Sequence, residues 1–139
     1  MSESDPADPD QQSTIIVIDG DPVSRNAAED LEDDLDRQVI AMDSTDFDLD
    51  GSEEILEAGA FIVAWDLAIR SGADLIESLR LDARLADRPI LVASNRVDRG
   101  LVRAALSVGA DGVCRHPYEA EEVRARLMTA ESRRRPEAA

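Results

Sequence analysis

Phe61-Ile62-Val63-Ala64-Trp65-Asp66, followed by Leu67-Ala68-Ile69-Arg70-Ser71-Gly72-Ala73-Asp74-Leu75, reads as an apolar strand, a loop and the start of a helix. A continuous apolar run between polar residues suits a strand buried on both faces, as in parallel sheets covered by helices. In open sheets of that kind, ligands bind beyond the carboxyl ends of the strands. The residue at the tip of this strand, Ala64 or Asp66, therefore decides what chemistry the chain can carry.

The pattern repeats on either side. Residues 14–18 form a second apolar, β-branched run, and Asp19-Gly20-Asp21-Pro22 then signals a turn, with Asp21 as a helix N-cap and Pro22 suited to the first helical position. Val23, Ala27, Leu31 and Leu35 follow at helical spacing. Residues 38–42 fit a short strand and 52–58 a short helix, ahead of the strand over 60–65. Beyond it, 71–81 predicts a helix with Leu75, Ile76 and Leu79 on one face, and 89–93 another buried strand. Residues 99–108 predict a helix with Val102, Ala105 and Leu106 inward, closed by Gly109. A last strand over 112–114 and a helix from 119 to about 130, presenting Val123, Leu127 and Met128, complete the chain. Strands alternating with helices imply an α/β fold: a doubly wound five-stranded parallel sheet with helices on both faces, joined by right-handed crossovers.

Composition narrows the function classes. A chain of 139 residues, 43% hydrophobic, suits one domain, here residues 14–130, with no room for an output domain. Residues 1–13 are acidic and nearly free of apolar groups, so they cannot repay the entropy of ordering, and 131–139 read as a flexible C-terminal tail. Aromatics at 3% leave little surface for stacking bases. The net charge of −16 argues against nucleic acid or an anionic membrane as partner. The one basic cluster, Arg133-Arg134-Arg135, reads as a helix-ending feature. All fifteen basic residues are arginine, which excludes lysine-dependent chemistry. Single Cys114, in an apolar run, permits no internal disulfide and fits a reducing compartment. No apolar segment approaches a membrane span, and Met1-Ser2-Glu3-Ser4-Asp5 lacks the basic and apolar regions of an export signal. A cytoplasmic protein is expected.

The loops beyond the strands carry Asp19, Gly20 and Asp21; Ala64, Trp65 and Asp66; Ser94 and Asn95; and His116 with Pro117. Over roughly residues 14 to 129 the chain resembles the receiver domain of two-component response regulators. The resemblance rests on Ile15-Ile16-Val17-Ile18-Asp19-Gly20-Asp21-Pro22, Pro89-Ile90-Leu91-Val92-Ala93-Ser94, Gly109-Ala110-Asp111-Gly112 and His116-Pro117-Tyr118, in that order on those elements.

In that family two acids after the first strand hold Mg²⁺, and an aspartate ending the third accepts a phosphoryl group. A hydroxyl after the fourth strand and a lysine before a cis-proline after the fifth read the phosphoryl oxygens. A carboxylate attacks phosphorus only if metal and cation neutralise the developing charge, so each part is needed. Carried over, Asp19 matches the first acid and Ser94 the hydroxyl. Gly20 stands where the second acid would be, His116 where the lysine would be, and Val113 where a switch aromatic is frequent.

The acceptor position depends on register. Ala64-Trp65-Asp66-Leu67 through Ser71-Gly72-Ala73-Asp74-Leu75 lies without a gap on a common receiver pattern, which puts Ala64 at the acceptor position. The separations agree: 45 residues from Asp19 to Ala64, 30 on to Ser94 and 22 on to His116. Placing Asp66 there instead requires deleting two residues from the next loop. Alanine cannot be phosphorylated, so the first register implies a pseudo-receiver acting by protein-protein contact, with no cofactor and no catalytic residue. The second implies a Mg²⁺-dependent regulator phosphorylated on Asp66, with Asp19, Asp21 and Asp66 around the metal.

Partners implied by the resemblance are signalling proteins, a histidine kinase or a downstream target. The face of the fourth helix, fifth strand and fifth helix is expected to carry the interaction or a homodimer, through Val102, Arg103, Leu106, Val113, Tyr118, Val123 and Leu127. A third function class comes from Asp46-Phe47-Asp48-Leu49-Asp50-Gly51, closing with Glu57, which has the spacing of a calcium loop. Glu53 at a usually apolar position and the lack of a long preceding helix favour a solvated loop. His116 alone is a poor metal set, Ser94 has no triad partners, and Trp65 reads as core or pocket lining.

Overall fold

Two apolar runs, Ile15–Ile18 (β1) and Ala60–Ala64 (β3), are buried along their whole length and lie side by side at the centre of a parallel sheet. The computed structural model describes residues 14–48, 53–67 and 71–134. The acidic tail expected over 1–13 and the end of the C-terminal tail lie outside them. The remaining strands are Val39–Met42 (β2), Ile90–Ser94 (β4) and Gly112–Arg115 (β5). The helices are Pro22–Leu35 (α1), Glu53–Leu56 (α2), Gly72–Leu81 (α3), Arg99–Ser107 (α4) and Ala120–Arg134 (α5).

All strand pairs are parallel, in the order β2-β1-β3-β4-β5. The order reverses between β1 and β3, which opens a crevice beyond their carboxyl ends. Alternation along the strands builds two cores. Ile16, Ile18, Phe61 and Val63 face one way, against Ile55 of α2 and Leu75, Ile76 and Leu79 of α3. Ile15, Val17, Ala60 and Ile62 face the other, against Leu31 of α1 and Val123 and Leu127 of α5. Each buried Val, Ile, Leu or Phe side chain among them contributes about 1.5–3 kcal/mol.

Local signals set the helix ends. Asp21 caps α1 by accepting the Val23 N–H, with Pro22 at the first position, Ser71 caps α3 through the Asp74 N–H, and Asp98 caps α4 through the Leu101 N–H. Gly109 takes φ 111° just past α4, in the left-handed region that favours glycine.

Two expectations need correction. α5 continues to Arg134, four residues past the anticipated end, because Arg134 Nε donates to Asp111 Oδ1 at 2.8 Å and holds the last turn on the body of the domain. Three of the seven residues of the anticipated interaction face are also interior. Val113, Val123 and Leu127 are buried in the two cores, since β5 alternates into both and α5 turns that stripe inward. Arg103 is exposed, Val102 and Tyr118 are half-buried, and Leu106, predicted inward on α4, and Met128 on α5 are both exposed.

Candidate functional site

The loops after β1, β3, β4 and β5 enclose a cleft of about 340 Å³ lined by Asp19, Asp21, Ala64, Asp66, Ser94 and His116, together with Gly20, Ser24, Ala93 and Asn95. Every strand-end position singled out in the sequence as part of the pocket thus reaches one place. The sheet puts them there: Ala64 stands beside Ala93 in the β3–β4 ladder, Ser94 beside Arg115 in the β4–β5 ladder, and the His116 N–H donates to the Ser94 carbonyl at 3.0 Å.

Asp19 is the buried charge of the site, 3% exposed. Its Oδ1 accepts the Asp21 N–H at 3.0 Å. Its Oδ2 accepts the Tyr118 O–H at 3.1 Å and lies 3.0 Å from His116 Nε2, which is itself 3.1 Å from the Tyr118 oxygen. The Nε2 edge of His116 thus faces the carboxylate and the phenol oxygen together. The two rings meet edge to face across the cis His116–Pro117 peptide. Burial pushes the Asp19 carboxyl up, but the hydrogen bond from His116, then that from Asp21, outweigh it and hold the group below its ordinary value. Burial, with the Asp19 charge behind it, raises the Tyr118 phenol.

The remaining positions are arranged differently. β3 ends at Ala64, which is buried, and Asp66 stands two residues further on, exposed at the rim of the cleft. Trp65 is half-buried and packs on the core under β3. The Ser94 hydroxyl is turned on its own loop, accepting the Arg96 N–H at 3.1 Å and donating to the Arg96 carbonyl. Gly20 borders open space: a Cβ there would meet no atom within 4 Å, so nothing steric keeps a carboxylate away.

Tyr118, expected on an outer face, turns its hydroxyl onto Asp19 instead. Of the calcium-loop residues, Asp46 sits in a 3₁₀ turn over Ser44–Asp46 and Phe47 is buried in the core, while Asp50 and Gly51 lie outside the described residues.

The chain has the receiver fold. No family model matches the sequence, and no curated protein matches it in sequence. Among solved structures, the Vibrio cholerae chemotaxis protein CheY4 superposes with a TM-score of 0.69 at 16% identity, over 86% of this chain and 98% of that one. A response regulator receiver domain protein of Clostridium thermocellum gives 0.73 at 18%, over 87% and 95%. The response regulator DrrB of Thermotoga maritima gives 0.71 at 18%, over 86% of this chain and 52% of that one.

The receiver resemblance implies Mg²⁺ in this cleft, and the donor set does not fit it. Gly20 offers no ligand, both Asp19 oxygens are engaged by hydrogen-bond donors, and no group of three acidic, histidine or cysteine side chains among the described residues is placed to hold a metal ion. No helix in the described residues is long and apolar enough to cross a membrane.

Proposed function

We propose that this receiver-fold domain works in a two-component phosphorelay as a pseudo-receiver, an interaction module for signalling proteins that neither accepts a phosphoryl group nor performs catalysis. The observation that carries this reading is the pairing of His116 and Tyr118 with Asp19. In a phosphorylatable pocket the acid after β1 must face a cation and the residue after β5 must face the phosphoryl oxygens. Here the two are turned on each other, with His116 Nε2 and the Tyr118 hydroxyl both on Asp19 Oδ2. Alanine at the end of β3 supports the same reading, because it supplies no nucleophile.

The cytoplasm is the compartment such a role requires. The competing reading, a Mg²⁺-dependent regulator phosphorylated on Asp66, draws on that carboxylate's position at the rim of the cleft. Titration calorimetry with MgCl₂ tests the proposal at its metal step. The reading expects no saturable heat, and a one-to-one site that disappears in Asp66→Asn would overturn it.

A further inference from the structure

α5 is held on the sheet by little apolar packing and by several polar ties. Of its fifteen residues only Val123, Leu127 and Ala130 are buried, two of them large, whereas α3 buries Leu75, Ile76 and Leu79 in ten. Arg37 Nη1 meets Glu131 Oε2 at 2.8 Å, Arg124 Nη2 donates to the Asp34 carbonyl, and Arg134 Nε meets Asp111 Oδ1 at 2.8 Å. Beneath the helix lies the sheet face of Val17, Ile62, Leu91 and Cys114, all fully buried.

The charges of α1 and α5 are matched. α1 carries Glu29, Asp30, Glu32, Asp33 and Asp34 against Arg25 alone, with no basic residue in its last turn. α5 carries four arginines against three glutamates. Carboxylates at a helix's carboxyl end oppose its dipole and a cation there relieves it, so Arg124 on the Asp34 carbonyl supplies what α1 lacks. Glu131 and Arg134 keep 31% and 32% of their side-chain surface in water, so dissolved ions reach both pairs. The amino end of α5 is pinned differently. Tyr118, two residues before it, is hydrogen-bonded to buried Asp19, and Glu122 accepts the Arg115 N–H.

We propose that α5 is a salt-sensitive strap, hinged at its Tyr118 end and latched at its far end by the Arg37–Glu131 and Arg134–Asp111 pairs. It opens as a unit while the sheet stays folded, and uncovers the face around Cys114. Elements with few buried apolar contacts open at a lower free energy than the whole domain. Salt distinguishes the two kinds of opening by sign. At a net charge of −16, screening relieves self-repulsion and favours the compact domain, whereas the same ions weaken the latches. Neither latch touches the cleft, so the strap operates whether or not Asp66 accepts a phosphoryl group.

Cys114 is the only cysteine, so its modification in the full chain, followed by intact mass, reads the opening directly. N-ethylmaleimide is the probe, because salt does not steer an uncharged reagent. Raising NaCl to about 0.5 M is expected to speed labelling about threefold or more, while the urea midpoint holds or rises. Glu131→Gln/Arg134→Gln removes one acid and one base and leaves the net charge unchanged. That variant should label about threefold or more faster at low salt and lose the salt response. Amide exchange should quicken across α5 in both cases and stay slow in β1 and β3. The strap is overturned if labelling of the parent chain slows or holds constant as salt is added, or if the amides of β3 quicken together with those of α5. A double variant that labels at the parent rate overturns it as well. The salt series needs no substitution, so it decides even where the double variant fails to fold.

Discussion

Tyr118 donates its hydroxyl to Asp19 Oδ2 across 3.1 Å, tying the loop after β5 to the loop after β1 over 99 residues of chain. A hydrogen bond to a charged, buried acceptor is worth about 1.5–3 kcal/mol. Tyr118→Phe keeps the ring and removes only the donor, so it is expected to lose about that much. Urea unfolding checks this, and a midpoint equal to that of the parent chain would show the bond to be idle.

The same pair gives the domain a pH signature at both ends. Asp19 is held below its ordinary 3.8, so the unfolded chain binds its proton first; the stability this group contributes is full above pH 3.8 and declines as acid is added. Tyr118 is held above its ordinary 10.0, so its contribution is full below pH 10 and declines as base is added. As Tyr118 is the only tyrosine in the chain, tyrosinate absorbance reads it directly. Its rise should coincide with alkaline unfolding seen by circular dichroism; ionisation near pH 10 in a still-folded chain would be the opposite result.

At the opposite, amino ends of the strands, Asp111 just before β5 is a second buried carboxylate. Its Oδ2 accepts the Ile90 N–H at 2.9 Å and Arg80 Nη2 at 3.0 Å, and its Oδ1 accepts Arg134 Nε. Arg80 also donates to the carbonyls of Ala86, Arg88 and Gly109. Removing one partner of such a network strands the others, at about 3–5 kcal/mol. Asp111→Ala should therefore destabilise more than Tyr118→Phe, and hydrogen exchange should show α5 fraying from Arg134 back. Equal stability of the two variants would argue against the network.

Gly72 lies on the backbone at the end of β3. A Cβ there would come within 2.4 Å of the Ala64 carbonyl oxygen and 3.0 Å of Trp65 Cα. Gly72→Ala should cost about 1–3 kcal/mol by overpacking, although alanine is the better helix former. A gain in thermal midpoint would mean that α3 stands further from the strand.

Much of this was legible in the chain. The continuous runs at Ile15–Ile18 and Ala60–Ala64, the cap at Asp21 and the stop at Gly109 are local signals, and they place those elements within a residue or two. The cleft followed, because strand ends must converge once the sheet order is known. What escaped was non-local. Arg134 extends α5 through a partner 23 residues away, and Arg80 gathers loops up to 31 residues distant. Val113, Val123 and Leu127 were placed on an outer face by family habit, whereas their apolar spacing already marked them as core. Tyr118 carried no pattern that distinguishes an outward ring from one folded onto Asp19.

The most direct test of the pseudo-receiver reading is the intact mass of the chain after incubation with acetyl phosphate and Mg²⁺. The account predicts an unchanged mass for the parent chain and for Asp66→Asn alike. A hydroxylamine-labile phosphoryl adduct on the parent chain, absent from Asp66→Asn, would contradict it.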